Sequence, residues 1–394
     1  MSAHNTVNQA AGLTIFGLAE SLAEEFAATA IERDKQGGTA KAQRDRLRES
    51  GLLNLIIPEA YGGMGASWHD AFYVVRIISR ADSSLGHLFG FQHLLLATIR
   101  LFGDQWPHYF QETVKNNWFW GNTLNPLDTR ARIYPDGKDW QITGIKSFCS
   151  GALDSDQLIV SAINAEGNLT VAAIPTSRPG VKLNNDWHNM GQRQTDSGTV
   201  EFERVRVFDH EILRRPGPLG SVFATLRPLI AQLVLTNIYL GIGEGALSEA
   251  RAYTRSQSRP WFTSKVEMAT QDPYVVHKYG EFWVGLSGAA LAADNAARLL
   301  DEAWVRENQL TEVERANTAL ATATAKVLST QSALDVTQRL FEVTGARATS
   351  SAAGLDRFWR NIRTHSLHDP VDYKLKDLGE WFLNNTPPKP SFYS

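Results

Sequence analysis

The residues best suited to chemistry lie near the C-terminal end of the chain. Three arginines recur at a spacing of three, two histidines follow at the same spacing, and a proline closes the stretch: Arg357, Arg360, Arg363, His365, His368 and Pro370. Residues three apart share one face of a helix, and the proline indicates a helix end just before it. A cationic helix end beside two imidazoles suits a phosphate-bearing cofactor next to proton-transfer chemistry. A solvated polar helix end is the alternative.

The same histidines could also ligate a metal. His365 and His368, followed by Asp369, have a spacing found in zinc and iron sites. Three guanidinium groups on neighbouring turns would, however, repel a divalent cation and attract an anion. No third ligand set of comparable strength occurs elsewhere in the sequence. We therefore predict an anion site and no metal.

Composition excludes several classes of protein. The chain has 394 residues, of which 43% are hydrophobic and 21% charged, as in globular proteins with two or three structural units. A net charge of −3 gives no support for nucleic-acid binding. Cys149 is the lone cysteine, which fits a reducing compartment. Residues 1–12 lack the layout of a secretory signal, and no run of eighteen apolar residues predicts a membrane span. We expect a cytoplasmic protein.

The chain divides into three predicted domains. Residues 1–117 have helical periodicity, with helices over 13–26, 41–49 and 68–80 and another after Gly86. Residues 118–214 contain short β-branched runs, at 157–163, 169–175 and 198–207, which predict a β-sandwich or barrel. Residues 215–394 contain three long helical blocks, at 221–257, 272–307 and 311–342, which predict a four-helix bundle followed by a flexible tail. The predicted fold is α+β and mainly α, and alanine-rich helix faces favour a homo-oligomer, with a tetramer preferred.

Several shorter motifs carry polar groups. Residues 192–198 form a turn whose donors and acceptors could meet the polar edge of a heterocycle, and Trp187 could cover such a ring. Residues 146–152 end a predicted strand in small and hydroxylated residues, and the absence of Gly-x-Ser-x-Gly there disfavours hydrolase chemistry. Simple turns and a core tryptophan are the alternatives. The glycines at 241, 243 and 245 resemble a dinucleotide loop but lack a preceding strand, so they indicate helix packing. Cys149 is interpreted as a small buried hydrophobe. Arg259, Phe262 and Arg347 follow long helices, where they could complete a divided anion site or simply lie on the surface.

Taken together, these domains and motifs resemble a known family. The helical, β and long-helix order is similar to the acyl-CoA dehydrogenase fold. Within it, the segments 86–90, 121–122, 148–151, 194–198, 258–261 and 363–370 resemble two-component flavin-dependent monooxygenases, notably dibenzothiophene monooxygenase. The resemblance extends from about residue 15 to residue 394.

The resemblance implies roles for individual residues. FMN would be held through its phosphate by Arg259, Arg347 and His365, with Phe262 beside it. The reactive edge of the flavin would face Asn122 and Ser150, the ring would lie near Trp187, and Thr195 and Ser197 would contact the cofactor. The catalytic imidazoles would be those of His87 and His368. Reduced FMN would come from an NAD(P)H-dependent flavin reductase, and O2 would react through a C4a-(hydro)peroxyflavin.

Two departures bear on the substrate. Phe91 stands where the dibenzothiophene enzymes carry a tyrosine, and the loop 123–128 is shorter and less polar. The segment 121–128 is more similar to the FMNH2-dependent methanesulfinate monooxygenases, so oxidation of methanesulfinate to methanesulfonate in sulfur assimilation is predicted. Dibenzothiophene-type oxidation remains an alternative. So do an FAD-dependent acyl-CoA dehydrogenase, with Asp369 as a displaced base, and a scaffold without activity.

Overall fold

The N-terminal part of the chain is helical, as predicted. The computed structural model describes residues 14–394, so the predicted polar segment 1–12 lies outside the described residues. Six helices come first: α1 (Ile15–Ala27), α2 (Ala30–Gln36), α3 (Lys41–Glu49), α4 (Trp68–Ala81), α5 (Ser83–Phe102) and α6 (Trp106–Asn116). Side-chain caps explain where two of them begin. Thr14 accepts a hydrogen bond from the Gly17 amide, and Ser67 accepts one from the Asp70 amide.

Helix α5 begins earlier than predicted. The sequence placed its start after Gly86, but the helix begins at Ser83. The carboxylate of Asp82 accepts hydrogen bonds from the amides of Ser84 and Leu85 at 2.9 and 3.1 Å. This N-cap satisfies first-turn amides, so the glycine lies inside the helix instead of before it.

The middle of the chain forms one seven-stranded sheet. Its strands are β1 (Trp120–Thr123), β2 (Arg132–Asp136), β3 (Asp139–Lys146), β4 (Gln157–Ile163), β5 (Leu169–Pro175), β6 (Val181–Leu183) and β7 (Val200–Val207). β1 and then β2 pair in parallel with successive parts of β4, while β5 pairs antiparallel with all of β4. β3 joins β2 to β7, and β6 pairs with β7. The bounds predicted for β4 and β5 are confirmed.

Long helices return after the sheet. They are α7 (Leu226–Ser256), α8 (Pro273–Arg306) and α9 (Glu312–Thr344), followed by the shorter α10 (Asp356–His365) and α11 (Val371–Asn384). α7, α8 and α9 pack on one another, α10 packs on α7 and α9, and α11 packs on α9. The predicted fold class, α+β and mainly helical with a C-terminal bundle, is confirmed.

Glycines bring α7 against α4, which joins the first and last helical regions. A Cβ atom added to Gly245 would lie 2.2 Å from the carbonyl oxygen of Arg80, and one on Gly241 would lie 2.5 Å from Cβ of Ser79. Such distances are far below van der Waals contact, so only glycine permits this approach. The interpretation of these glycines as helix-packing residues is confirmed.

Two core helices are long and apolar enough to cross a membrane. These are Ser83–Phe102 and Phe223–Ser256, but 94% of each apolar window is buried within the chain. Burial by other helices accounts for their composition, as expected for the centre of a large helical core.

Cys149 is also buried, and burial raises the pKa of its thiol to about 12, as expected for an unreactive side chain.

The C-terminal segment, residues 385–394, lies against the bundle. Buried Lys374 donates a hydrogen bond to the Tyr393 carbonyl, and buried Arg315 donates one to the Ser394 carbonyl. Phe392 packs against the helical core. The sequence predicted a flexible tail, whereas these contacts attach it to α9 and α11 because two buried cations need acceptors.

Candidate functional site

A cavity of about 700 Å³ lies where the three regions of the chain meet. Its walls come from α5, β1 and the loop after it, the turn after β3, the segment 187–197, α7, the turn between α10 and α11, and the C-terminal segment. Most of the predicted site residues line it: His87, Phe91, Asn122, Ser150, Trp187, Thr195, Ser197, His365 and His368. Segments far apart in sequence thus converge on one place.

Three predicted cofactor-binding residues do not line this cavity. Phe262 is 82% exposed, Arg259 is exposed, and Arg347 lines a separate surface depression with Gln257. Arg347 donates a 2.6 Å hydrogen bond to the Gln257 carbonyl, which puts it beside the segment that carries Arg259. Within one chain, Arg347 therefore lies near the segment that carries Arg259, but neither arginine lines the cavity that contains His365.

The stacked arginines of α10 are not the free cationic site that their spacing predicted. Arg357 pairs with Glu249, and Arg360 pairs with Asp34 and Asp356. Glu249 lies on α7, Asp34 on α2 and Asp356 on α10 itself, so Arg357 and Arg360 hold α10 against α7 and α2. The prediction of an anion site on them is wrong, because long-range partners neutralise their charge.

A chain of hydroxyl groups forms the polar end of the cavity. The Oγ atoms of Ser150 and Ser197 are 2.7 Å apart, and Ser197 Oγ lies 2.7 Å from Thr195 Oγ1. The Thr195 hydroxyl donates to the Gln192 carbonyl at 2.9 Å. Each hydroxyl can both donate and accept a hydrogen bond, so the chain of hydroxyls can extend by a further hydrogen bond to a polar ligand.

Arg44 on α3 supports this polar end from behind. Its guanidinium pairs with Asp196 at 2.8 Å, with both side chains fully buried, and donates to the Gly151 carbonyl at 2.9 Å. The ring of Phe119 lies 4.2 Å from the guanidinium carbon. The pair joins the turn that carries Ser150 to the turn that carries Thr195 and Ser197. Arg44 was not predicted as a site residue, because its helix was interpreted from the sequence only as charged.

Asn122 and an aromatic pair flank the hydroxyls. The Asn122 side-chain oxygen accepts from the Leu124 amide at 3.1 Å, which leaves its Nδ2 hydrogens directed to other acceptors. Trp187 donates from Nε1 to the Gln192 carbonyl at 2.8 Å and meets Phe148 edge to face at 6.0 Å. Amide donors and aromatic faces together suit a flat ring with a polar edge.

Two buried histidines face each other at the cavity. Nδ1 of His87 and Nε2 of His365 are 3.1 Å apart, and Phe91 stacks on His87 with ring centroids 4.0 Å apart. Burial lowers the pKa of His87 to about 3 and lowers that of His365 well below its usual value. Both rings are therefore neutral at physiological pH. A neutral His365 is a weaker phosphate ligand than the cation that the resemblance implied.

His368 belongs to a different, charged network. Its Nδ1 lies 3.1 Å from Oδ1 of Asp369, which pairs with Lys326 of α9 at 3.3 Å. Burial lowers the pKa of Lys326 to about 8. Burial alone would raise the pKa of Asp369, but attraction to Lys326 and the His368 hydrogen bond outweigh it and hold that pKa well below its usual range. Asp369 is thus an anion that orients the His368 ring. Lys326 was not identified from the sequence, although it is the only charged residue between Arg315 and Asp335.

Unpartnered polar atoms show that this cavity fits a bound heterocycle. Among residues 14–394, His87 Nε2, Gln192 Oε1 and Thr364 Oγ1 are buried without a hydrogen-bond partner, and all three residues line the cavity. Buried polar atoms are costly when unpaired, so a polar ligand is expected there. FMN, with a flat ring and polar edge, satisfies this requirement. No group of three or more acidic, histidine or cysteine side chains placed to hold a metal occurs in the described part.

The cavity wall has no acidic side chain. Of the residues that the structure describes, no Asp or Glu lines it. An acyl-CoA dehydrogenase needs a carboxylate to remove the α-proton of its thioester. Asp369, the predicted displaced base, is instead held in an ion pair with Lys326 outside the lining. The site therefore lacks a central requirement of dehydrogenation.

Family models match all three regions of the chain. They are the acyl-CoA dehydrogenase N-terminal domain over residues 17–107, the middle domain over 121–205 and the C-terminal domain over 233–373. The segments between these matches include both predicted domain boundaries. The order of domains agrees with the order of helical, sheet and long-helix regions.

Individual relatives are similar over almost the whole chain. A probable FMNH2-dependent monooxygenase of Pseudomonas putida, SfnC, is 58% identical over 383 residues, covering 96% of each protein. The structure of methanesulfinate monooxygenase MsuC from Pseudomonas fluorescens superposes with a TM-score of 0.96 at 55% identity, covering 97% of this chain and 100% of that one. FMN-bound TdsC of Paenibacillus sp. A11-2, a dibenzothiophene monooxygenase, superposes with a TM-score of 0.92 at 42% identity, covering 96% and 99%.

Proposed function

Because this chain belongs to the FMNH2-dependent monooxygenases with the acyl-CoA dehydrogenase fold, we propose that it oxygenates methanesulfinate to methanesulfonate. Flavin-dependent oxygenation of an organosulfur compound is common to this group. The identity of the sulfur compound is the proposed part. The observation that carries it is a cavity with a polar end fit for FMN and a second wall of apolar side chains.

Reduced FMN, when bound, supplies the electrons with which O2 is activated, so one oxygen atom reaches sulfur and the other leaves as water. The protein binds FMN and the substrate, orients them and shields them from water. We assign Ser150 and Asn122 to the polar edge of the flavin. Ser150 is held by its hydrogen bond to Ser197, and Asn122 offers its amide hydrogens. Trp187 is assigned to the ring face. The burial of these groups excludes water, which strengthens each hydrogen bond.

The two kinds of histidine are assigned different tasks. His87 is neutral, and its unpartnered Nε2 can accept or donate one hydrogen bond to oxygen or substrate. His368 is oriented through Nδ1 by Asp369, which leaves its Nε2 to give or take a proton at the cavity. Proton transfer at the reacting oxygen is therefore assigned to His368 and positioning to His87.

A small substrate is supported by the loop after β1. Leu124, Asn125, Pro126 and Leu127 line the cavity. The buried Lys146 donates to the Asn125 carbonyl at 2.6 Å and to the Asp128 carbonyl, and so fixes the loop against the sheet. A loop held in this way keeps the apolar side chains Leu124 and Leu127 at the cavity, where they reduce the room for a bulky aromatic substrate.

A direct assay tests the proposed substrate. The purified protein is supplied with FMN, NADH, O2 and a flavin reductase, and methanesulfinate, dimethyl sulfone and dibenzothiophene are compared by mass spectrometry of their products. We expect methanesulfonate as the main product, with one oxygen atom from ¹⁸O2. Preferential oxidation of dibenzothiophene would contradict the proposal and favour the alternative branch. Release of stoichiometric FAD on denaturation would favour a dehydrogenase.

A second copy of the chain is proposed to complete the FMN site. Helix α8 and the loop before it expose large apolar side chains that a monomer would leave in water: Trp261, Phe262, Tyr274, Trp283, Val284, Leu291 and Val305. Apolar patches of this kind mark interfaces. Burying them in a homo-oligomer, predicted to be a tetramer, could bring Arg259 and Arg347 to the phosphate of FMN in a neighbouring cavity. Light scattering gives the oligomer mass, and a monomer at micromolar concentration would refute this step.

Replacing Arg347 tests the phosphate assignment. In Arg347→Ala we expect the dissociation constant of FMN to rise about tenfold or more, since a charged hydrogen bond contributes roughly 1.5–3 kcal/mol. Fluorescence titration of FMN measures it. Arg214→Ala, which removes an exposed arginine paired with Asp209, is the matched control. An unaltered dissociation constant in Arg347→Ala would remove this residue from the site.

The supply of reduced FMN and the compartment are also proposals. A separate NAD(P)H-dependent flavin reductase is the proposed source, since no nicotinamide-binding motif is found in the sequence. A cytoplasmic location is proposed from the lone thiol of Cys149.

A further inference from the structure

One buried arginine at the cavity lacks the partners that arginines normally have. Arg227, the second residue of α7, is 6% exposed and lines the cavity. Leu94, Gln232 and Tyr393 line the same cavity. A guanidinium in such a place loses hydration, and the loss is normally offset by an acidic partner.

Of the five other buried arginines in residues 14–394, four have acidic partners and one donates to a hydroxyl and to carbonyl oxygens. Six arginines are buried: Arg33, Arg44, Arg76, Arg227, Arg315 and Arg357. Ion pairs with Asp or Glu satisfy four of them: Arg33, Arg44, Arg76 and Arg357. Arg315 donates to the Thr225 hydroxyl and to carbonyl oxygens of Thr225 and Ser394. Arg227 has a single described bond, from Nε to the Thr98 hydroxyl at 3.2 Å. Its two terminal nitrogens have no acceptor among the described residues.

Arg227 nevertheless remains a cation. Burial lowers its pKa, but only to about 10, so the side chain is charged at neutral pH. The bond from Nε to Thr98 fixes the plane of the guanidinium and leaves its outer edge for a ligand. Two parallel N–H donors on that edge match an anion with two oxygen atoms. Gln232, whose Oε1 is buried without a hydrogen-bond partner, lines the same cavity.

We propose that Arg227 is the residue that selects an anionic substrate, by binding the two oxygen atoms of a sulfinate through its terminal nitrogens. This inference rests on the proposed function and names the group that recognises its substrate. The alkyl part then lies against Leu94 and Phe91, which line the same cavity. Thr98 is a positioning residue, because it contacts Arg227 and does not line the cavity.

Calorimetric binding of two ligands of similar shape tests the inference without turnover. Methanesulfinate is an anion, and dimethyl sulfone is neutral but also carries two oxygen atoms on its sulfur. In Arg227→Met we expect methanesulfinate to bind about 10- to 100-fold more weakly, from the loss of charge-assisted hydrogen bonds. Binding of dimethyl sulfone and of FMN should not change. Arg227→Lys should recover part of the loss, since it keeps the charge but not the paired donors. Arg251→Met, an exposed arginine on the same helix, is the matched control.

Thermal melting separates this role from a structural one. Replacing an unpaired buried cation with an apolar side chain of similar length should leave the melting temperature unchanged or raise it. Thr98 stays satisfied, since its hydroxyl also donates to the Leu94 carbonyl at 2.7 Å. Should Arg227→Met melt much lower and lose all ligands alike, the residue is structural and the inference is overturned.

The outcomes also separate this inference from the proposed substrate. If the wild type forms methanesulfonate and Arg227→Met binds methanesulfinate as tightly, the inference fails and the proposed function stands. If the wild type binds methanesulfinate without forming methanesulfonate, and Arg227→Met loses that binding, the anion subsite stands and the proposed substrate fails. Anion binding by neither protein overturns the subsite.

Discussion

His368→Ala is expected to lower the rate of methanesulfonate formation by about 10²- to 10⁴-fold, the range that a positioned proton-transfer group contributes. His368 lines the cavity and is oriented by Asp369, so its loss removes the proposed proton donor and leaves the rest of the cavity wall in place. FMN binding should therefore be almost unchanged, and the reaction should release hydrogen peroxide in place of sulfonate. Product mass, peroxide yield and FMN titration measure the three quantities together.

Two further variants sharpen this result. His108→Ala, an exposed histidine on α6, controls for loss of an imidazole in general. Asp369→Asn keeps the size of the side chain but removes the charge that orients His368, so it should lower the rate by a smaller factor. Full sulfonate formation by His368→Ala would exclude His368 from proton transfer and leave His87 as the other predicted catalytic histidine.

Arg44→Met is expected to destabilise the protein by about 3–5 kcal/mol, because it leaves the carboxylate of Asp196 buried without its partner. Both side chains are fully buried and 2.8 Å apart, and Arg44 also holds the Gly151 carbonyl. The turns bearing Ser150 and Thr195 should loosen, so FMN should bind more weakly as well. Urea unfolding and FMN titration measure the two effects.

The matched control lies two residues further along α3. Arg46 forms ion pairs with Glu25 and Glu49 at the surface. Arg46→Met should change stability by about 1 kcal/mol or less, since exposed ion pairs contribute little. Equal effects of the two substitutions would contradict the assignment of Arg44 as a buried support of the cofactor site.

Local sequence patterns predicted most of the fold. Strands β4 and β5 were predicted at their observed bounds because β-branched runs end at turn residues, and the long helices because their apolar period persists for thirty residues. Phe91, Asn122 and Ser150 were assigned through family resemblance, and the turn that carries Thr195 was singled out by its polar residues; all of them line one cavity.

What could not be predicted depends on contacts between distant segments. The spacing of Arg357 and Arg360 could not reveal acids on α7 and α2 that neutralise them. Arg227 and Lys326 lie within long helices, where periodicity shows which face is apolar but not which part of that face meets a cavity. The one signal that could have identified both is that each is the only charged residue in a long stretch of its helix.

The contact between His87 and His365 has a chemical consequence of its own. Two uncharged imidazoles 3.1 Å apart must share a single hydrogen between the facing nitrogens. If it sits on His365, the distal nitrogen of His87 carries the other hydrogen and donates; if it sits on His87, that nitrogen is bare and accepts. A tautomeric exchange across the two rings would thus change the distal nitrogen of His87 from a hydrogen-bond donor to an acceptor, or the reverse. The exchange creates no charge in a buried place where water could not stabilise one.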